Sequence, residues 1–181
     1  MRLFIAIDID NEKLAKDVYT LQNVIRNIRV RATFPRAEHL HITLKFLGEV
    51  SSNMIDDLIN RLEGINHGKF NITLSGLGGF PDLSRPRVIF IDVIRSERLI
   101  TLHRKIENAL HGLFPREDRP FHPHLTIARI KQFIHLDRST IEKMENIIGE
   151  YKIWVDKFKL KKSVLTSGGP IYEDLKIFTL D

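Results

Sequence analysis

Two short segments carry residues suited to acid–base chemistry. Residues 41–44 read His-Ile-Thr-Leu and residues 124–127 read His-Leu-Thr-Ile, with their histidines 83 positions apart. In a β-strand, residues i and i+2 share a face. His41 and Thr43 therefore project together, as do His124 and Thr126, while Ile42, Leu44 and Phe46 turn to the other side with Leu125 and Ile127. Polar side chains placed on apolar strands need partners if they are buried. Two imidazoles suit the in-line opening of a cyclic phosphodiester, in which a base activates water on one side of phosphorus and an acid protonates the leaving oxygen on the other. With an unperturbed pKa near ~6.5, one ring is neutral while the other is protonated close to neutral pH. The hydroxyls of Thr43 and Thr126 can hydrogen-bond the non-bridging oxygens, where charge builds in the transition state. This chemistry requires no metal.

The elements that would position these residues occur twice. Arg2–Asp8 reads RLFIAID, an apolar, β-branched strand. Leu14, Val18, Leu21, Ile25 and Ile28 follow at helical spacing over residues 11–28. Residues 39–48 form the first motif strand. Ser51 and Ser52 offer a helix N-cap before Ile55, Leu58, Ile59 and Leu62. Residues 69–77 return to strand character, and Asn71-Ile72-Thr73 reads as strand rather than as a glycosylation site. The second half repeats the order: a strand over 87–93, a helix bearing Leu99, Leu102, Ile106, Leu110 and Leu113, the second motif strand over 122–130, a helix over 138–148, and a strand reading YKIWVDKFKL. The opening strands are 85 residues apart, nearly the motif offset. Residues 75–86, rich in Gly, Pro and Ser, read as the crossover between halves, and 166–170 as a turn before a final strand, KIFTL. The expected fold is α+β. It has two pseudo-twofold-related lobes, each a mainly antiparallel sheet with helices on its outer face, enclosing a central groove. The whole of 1–181 forms one bilobal domain, from approximate repeats 1–84 and 85–181 whose termini are free to exchange between lobes.

Composition narrows the field. The chain has 181 residues, 43% hydrophobic and 28% charged, with a net charge of +5 and no cysteine. Disulfides and thiolate metal sites are thereby excluded. A positive balance suits a phosphate-bearing partner. No apolar run approaches the ~18 residues needed to span a bilayer, and the N-terminus lacks the features of a signal peptide. A cytoplasmic monomer without cofactor or membrane partner is expected.

With these residues in view, the chain resembles the two-histidine (2H) phosphoesterases, and among them the RNA 2',3'-cyclic phosphodiesterase family, also called 2'-5' RNA ligases. The resemblance rests on His41-Ile42-Thr43-Leu44 with Lys45-Phe46-Leu47-Gly48, and on Pro123-His124-Leu125-Thr126-Ile127-Ala128-Arg129. It extends to RLFIAID, to the GGFP…PRVIF stretch and to the closing strands. It implies hydrolysis of RNA or nucleoside 2',3'-cyclic phosphates to 2'-phosphates, with reversible 2'-5' ligation as the reverse of ring opening. It further implies His41 as proton donor to the leaving 3'-oxygen, His124 as proton acceptor from water, and Arg129 as a phosphate ligand. Strand parity alone sets Arg129 opposite His124, so it must reach round an edge or sit beyond a bulge. Lys45 shares the parity of His41 and is a second candidate for substrate binding.

Other readings compete. His39 and His122 share the motif parity, so four histidines could hold a metal. The repeated threonines have no role in that account, and no Asp or Glu stands at a matching position in both copies. His39 and His122 otherwise end loops, as supporting donors. His67, His103, His111 and His135 lie outside the repeat and read as surface residues. A non-catalytic RNA-binding protein would use Arg26, Arg29, Arg31 and Arg36, or the run 157–162, on backbone phosphates. No P-loop or nucleotidyl-lysine motif is present, which argues against ATP-driven ligation.

Overall fold

The computed structural model describes residues 1–166 and 169–181. The turn expected at 166–170 thus lies partly outside the described residues. Among the described residues, nine strands and four helices follow one another: β1 (Arg2–Asp8), α1 (Glu12–Asn27), β2 (Ala32–Thr33), β3 (His41–Glu49), α2 (Ile55–Glu63), β4 (Phe70–Phe80), β5 (Val88–Val93), α3 (Glu97–Ala109), β6 (His124–Ile130), α4 (Arg138–Glu145), β7 (Glu150–Val155), β8 (Lys157–Thr166) and β9 (Gly169–Thr179). The α+β class expected from sequence is observed.

All named strand pairs are antiparallel, in the order β7-β4-β5-β6-β3-β1-β8-β9, with the short β2 also on β6. The two motif strands, β3 and β6, are neighbours at the centre, and each has the opening strand of its own half, β1 or β5, on its outer side. The third strands exchange: β4 of the first half pairs with β5, and β8 of the second half pairs with β1. Only Asp156 separates β7 from β8. These strands belong to opposite ends of the pairing order, so the sheet must curve strongly to bring them together.

The helices lie where the apolar periodicity put them. α1 starts from Asn11, whose side-chain oxygen accepts from the Leu14 N–H at 2.9 Å, and it buries Leu14, Val18, Leu21 and Ile25. α3 buries Leu99, Leu102 and Ile106. These faces join the strand residues Ile5, Ile42, Leu44, Ile89, Ile91, Leu125 and Ile127 in one core.

Several expectations need correction. No serine caps α2: a 3-10 turn over Ser52–Met54 leads into it, and the Ser51 hydroxyl contacts Asn53 instead. The stretch from 75 is no crossover up to Phe80. It is the end of β4, hairpinned to β5, where a Cβ at Gly78 would overlap the Phe90 ring. Glycine here permits a close cross-strand approach rather than marking a loop. The segment 151–160 is two strands, and the last strand is 11 residues long. His67 is buried, and His103 is half-buried against Phe121, ring centroids 4.0 Å apart.

Lys45 is the largest departure. It is only 2% exposed and faces the helices. Its Nζ donates to Glu107 Oε1 at 2.5 Å and to the Pro115 carbonyl at 2.9 Å. Removing one member of such a pair leaves an uncompensated buried charge, whereas replacing both by apolar groups is far milder. Lys45→Met is expected to lower unfolding free energy by about 3 kcal/mol in urea titration, and Lys45→Met with Glu107→Leu to recover most of the loss. A single-variant loss well below about 1 kcal/mol would show that the pair behaves as a solvated one.

Candidate active site

β3 and β6 are joined by one register pair, Ile42 opposite Leu125. Both side chains are fully buried, so the alternate residues on each strand turn to the opposite face. His41, Thr43, His124 and Thr126 accordingly line a single cavity of about 360 Å3, together with Phe46 and Arg129. The arrangement expected of the two His-x-Thr pairs, facing one space, is the one observed.

Both imidazoles are held in the same way. His41 Nδ1 lies 2.7 Å from the His39 carbonyl oxygen, and His124 Nδ1 lies 2.7 Å from that of His122. A carbonyl only accepts, so each Nδ1 is the protonated nitrogen and donates. The neutral ring then presents a lone pair at Nε2, and the charged ring presents an N–H there. The two residues singled out as neighbours of the motif thus serve first through their backbone. The His122 ring also contacts Asp92 Oδ1 at 2.9 Å, and the His39 ring meets Tyr172 edge-on.

A duplicated β-bulge decides which residues beyond the motif reach the cavity. Leu44 has no partner in the β1 register between Thr43 and Lys45, and Ile127 has none in the β5 register between Thr126 and Ala128. In each strand two successive residues are buried: Leu44 with Lys45, and Ile127 with Ala128. The extra residue reverses the alternation beyond it. Arg129 therefore rejoins the face of His124, which resolves its apparent wrong parity. The same bulge turns Lys45 away from the cavity, so Lys45 is not among the residues that could touch a ligand there. Phe46, expected in the core, is instead 60% exposed and lines the cavity at the position matching Arg129. Gln22, only 4% exposed on α1, donates from Nε2 to the carbonyls of Ile127 and Pro35 at 3.1 and 2.9 Å. It supplies the partner that the bulged Ile127 carbonyl needs.

Aromatic rings flank both histidines. Phe4 and Tyr172 lie 5.2 and 5.3 Å from His41, and Phe90 and Phe80 lie 5.0 and 5.1 Å from His124, by ring centroids. Burial among them pushes both histidine pKa values below the ordinary imidazole range. The hydrogen bonds to the His39 and His122 carbonyls oppose that effect, as do Asp8 for His41 and Asp92 for His124. Arg129 adds to the lowering of both.

The aspartates correct the sequence reading that found no matching acidic residue. Asp8 pairs with His41 in the β1–β3 register and Asp92 with His124 in the β5–β6 register. Their surroundings differ. Asp8 accepts from Lys161 and is bridged by Lys159, both of which also reach Asp174; Asp92 faces His122. Arg119 was also missed, although it lines the cavity. Its signal was available: Arg36 and Arg119 each stand five residues before a motif histidine. Among the described residues, no three His, Cys, Asp or Glu side chains cluster so as to hold a metal ion.

Comparison with known proteins places these features in context. A family profile described as the 2'-5' RNA ligase superfamily matches residues 18–160. An Archaeoglobus fulgidus protein named RNA 2',3'-cyclic phosphodiesterase is 36% identical over 98% of this chain and 99% of its own. A Thermotoga maritima protein of the same name is 35% identical over 97% of this chain and 93% of its own. Among solved structures, the TT0787 protein of Thermus thermophilus superposes with a TM-score of 0.77 at 27% identity, covering 99% of this chain and 97% of that one. E. coli LigT complexed with 3'-AMP gives a TM-score of 0.74 at 27% identity, with 99% and 97% covered.

The ring geometry makes a spectroscopic prediction. In nitrogen-detected NMR of the free protein, neutral His41 and His124 are expected to carry the proton on Nδ1 and to titrate below about 6.5. An unprotonated Nδ1 on either ring, or titration at or above that value, would contradict the arrangement.

Proposed function

Because the chain belongs to the 2'-5' RNA ligase superfamily, we propose that it hydrolyses RNA or nucleoside 2',3'-cyclic phosphates to 2'-phosphates by two-histidine general acid–base catalysis. One observation carries this reading: two histidines, each with its Nδ1–H fixed by a carbonyl and, among the described residues, no hydrogen-bond partner at Nε2, line one cavity with two threonines and an arginine. In-line attack at phosphorus needs proton transfer on two opposite sides, and this site offers two imidazoles held by the same kind of hydrogen bond. Fixed orientation reduces the reorganisation required at the moment of reaction.

In the reaction, Nε2 of His124 accepts a proton from water as its oxygen attacks phosphorus. The bond from phosphorus to the 3'-oxygen breaks, and Nε2–H of His41 donates to that oxygen. The net change adds one water and leaves a 2'-phosphate and a 3'-hydroxyl. Thr43, Thr126 and Arg129 hold the non-bridging oxygens. The acid and base labels follow the family resemblance, since both rings are held by the same hydrogen bond. The same chemistry with an RNA 5'-hydroxyl in place of water would form a 2'-5' linkage. Hydrolysis dominates because water is the more abundant nucleophile. We propose a monomer, since both motifs lie on one chain, acting in the cytoplasm.

Incubation with a nucleoside 2',3'-cyclic phosphate in EDTA is expected to yield the 2'-phosphate. His41→Ala and His124→Ala should each reduce kcat by roughly 10²–10⁴-fold. RNA binding that persists in both variants without turnover in the parent would favour the non-catalytic reading, and activity lost in EDTA and restored by zinc would favour a metal site. The pH dependence has a definite sign. The base acts only above its pKa and the acid only below its own, and burial lowers both. The optimum of kcat/KM, which reports the free enzyme, is expected on the acid side of about 6.5. In the complex the bound anion favours imidazolium, so the kcat optimum should lie higher. An alkaline kcat/KM optimum would count against the pair.

A further inference from the structure

Two more cavities adjoin the active site. One, of about 460 Å3, shares His41, Phe46 and Arg129 with it and so borders the active-site cavity on the His41 side. The other, of about 290 Å3, shares only Arg129 with the active site but shares Arg129, Pro170 and Tyr172 with the first. It lies one step further out, and Tyr172 forms part of the wall between the two.

The composition of the outer cavity is specific. Phe34, Pro35 and Tyr172 supply flat or apolar walls, Arg36 and Arg129 supply positive charge, and both arginines with His39 supply hydrogen-bond donors. The Arg36 side chain is 71% exposed, and its ion pair with Glu38 is loose at 3.8 Å. The Arg26 guanidinium lies over the Phe34 ring at 4.3 Å, adding positive charge beside it. The loop is anchored, because the Pro35 carbonyl accepts from buried Gln22, the side chain that also holds the bulge before Arg129. The outer cavity and the phosphate-facing arginine are therefore tied to one support.

Apolar walls beside arginines complement a nucleotide, whose base stacks and whose phosphodiester carries the charge. Resting on the phosphodiesterase reading above, we propose that this outer cavity binds the nucleotide immediately 5' to the cyclic-phosphate nucleotide, with Arg36 on the intervening phosphodiester. The preferred substrate is then an RNA oligomer ending in a 2',3'-cyclic phosphate rather than a cyclic mononucleotide. Arg36 and Arg119 hold matching sequence positions but have separated in location: Arg119 opens onto the reacting centre and Arg36 onto the outer cavity.

The test compares adenosine 2',3'-cyclic phosphate with the dinucleotide ApA bearing a terminal 2',3'-cyclic phosphate, in the parent protein and in Arg36→Gln. For the parent, kcat/KM should be roughly tenfold or more higher on the dinucleotide, the scale of one stacked base. Arg36→Gln should remove most of that advantage and leave the mononucleotide rate within about twofold. The salt dependence on the dinucleotide should fall by about one phosphate contact. Equal rates on both substrates in the parent, or an equal loss on both in Arg36→Gln, would overturn the proposal. Absence of turnover on either substrate would instead overturn the phosphodiesterase reading. Binding of ApA carrying a terminal 2'-phosphate then decides on the cavity: tighter binding than adenosine 2'-phosphate, lost in Arg36→Gln, supports it, and equal binding overturns it.

Discussion

The site depends on the seam between β3 and β6. One antiparallel pair, Ile42 with Leu125, joins the two strands, and both side chains are sealed in the core. Continuing that register by one residue sets His41 across from Thr126 and Thr43 across from His124. A slip of one residue in either strand would send its histidine into the apolar interior and its isoleucine or leucine to the cavity. The rest of the architecture holds the seam in place. β1 and β5 flank it, α1 and α3 supply apolar faces to the core beneath, and the exchange of β4 and β8 ties each half to the other.

The bulge in each motif strand then lets the two halves differ. At matching positions, bulging delivers Phe46 from β3 and Arg129 from β6 to the cavity. The residues just before them, Lys45 and Ala128, go to the core. A buried lysine there requires Glu107 and the Pro115 carbonyl, and so connects β3 to α3 and to the segment leading to His122. Asymmetry also enters behind the rings. Asp8 belongs to a network with two lysines and Asp174, while Asp92 meets a histidine. Two rings with the same hydrogen bond, His41 the more deeply buried of them, thus stand in different fields, a physical basis on which one can act as acid and the other as base.

Much of this was legible in the sequence because it follows from periodicity. The alternation at His41–Leu44 and His124–Ile127 fixed which side chains share a face, and the 83-residue offset exposed the duplication. The helices followed from their apolar spacing. What remained hidden came from local irregularity. A bulge leaves no mark on composition, so strict alternation puts Lys45 and Phe46 on the wrong faces and Arg129 on the side away from His124. Glycines at 76, 78 and 79 resembled a linker, although Gly78 is small because the Phe90 ring crosses it. The match of Asp8 with Asp92 was obscured because the opening strands align at 85 residues by their arginines and at 84 by their aspartates. Only pairing with the histidines shows which alignment matters.

In the proposed mechanism, two histidines on facing strands act from opposite sides of phosphorus in a single in-line displacement. Stereochemistry at phosphorus tests it directly. A nucleoside 2',3'-cyclic phosphorothioate of known configuration, opened in oxygen-18 water, should give a 2'-phosphorothioate inverted at phosphorus. Retention of configuration would require two successive displacements through a covalent intermediate and would rule out a single in-line step.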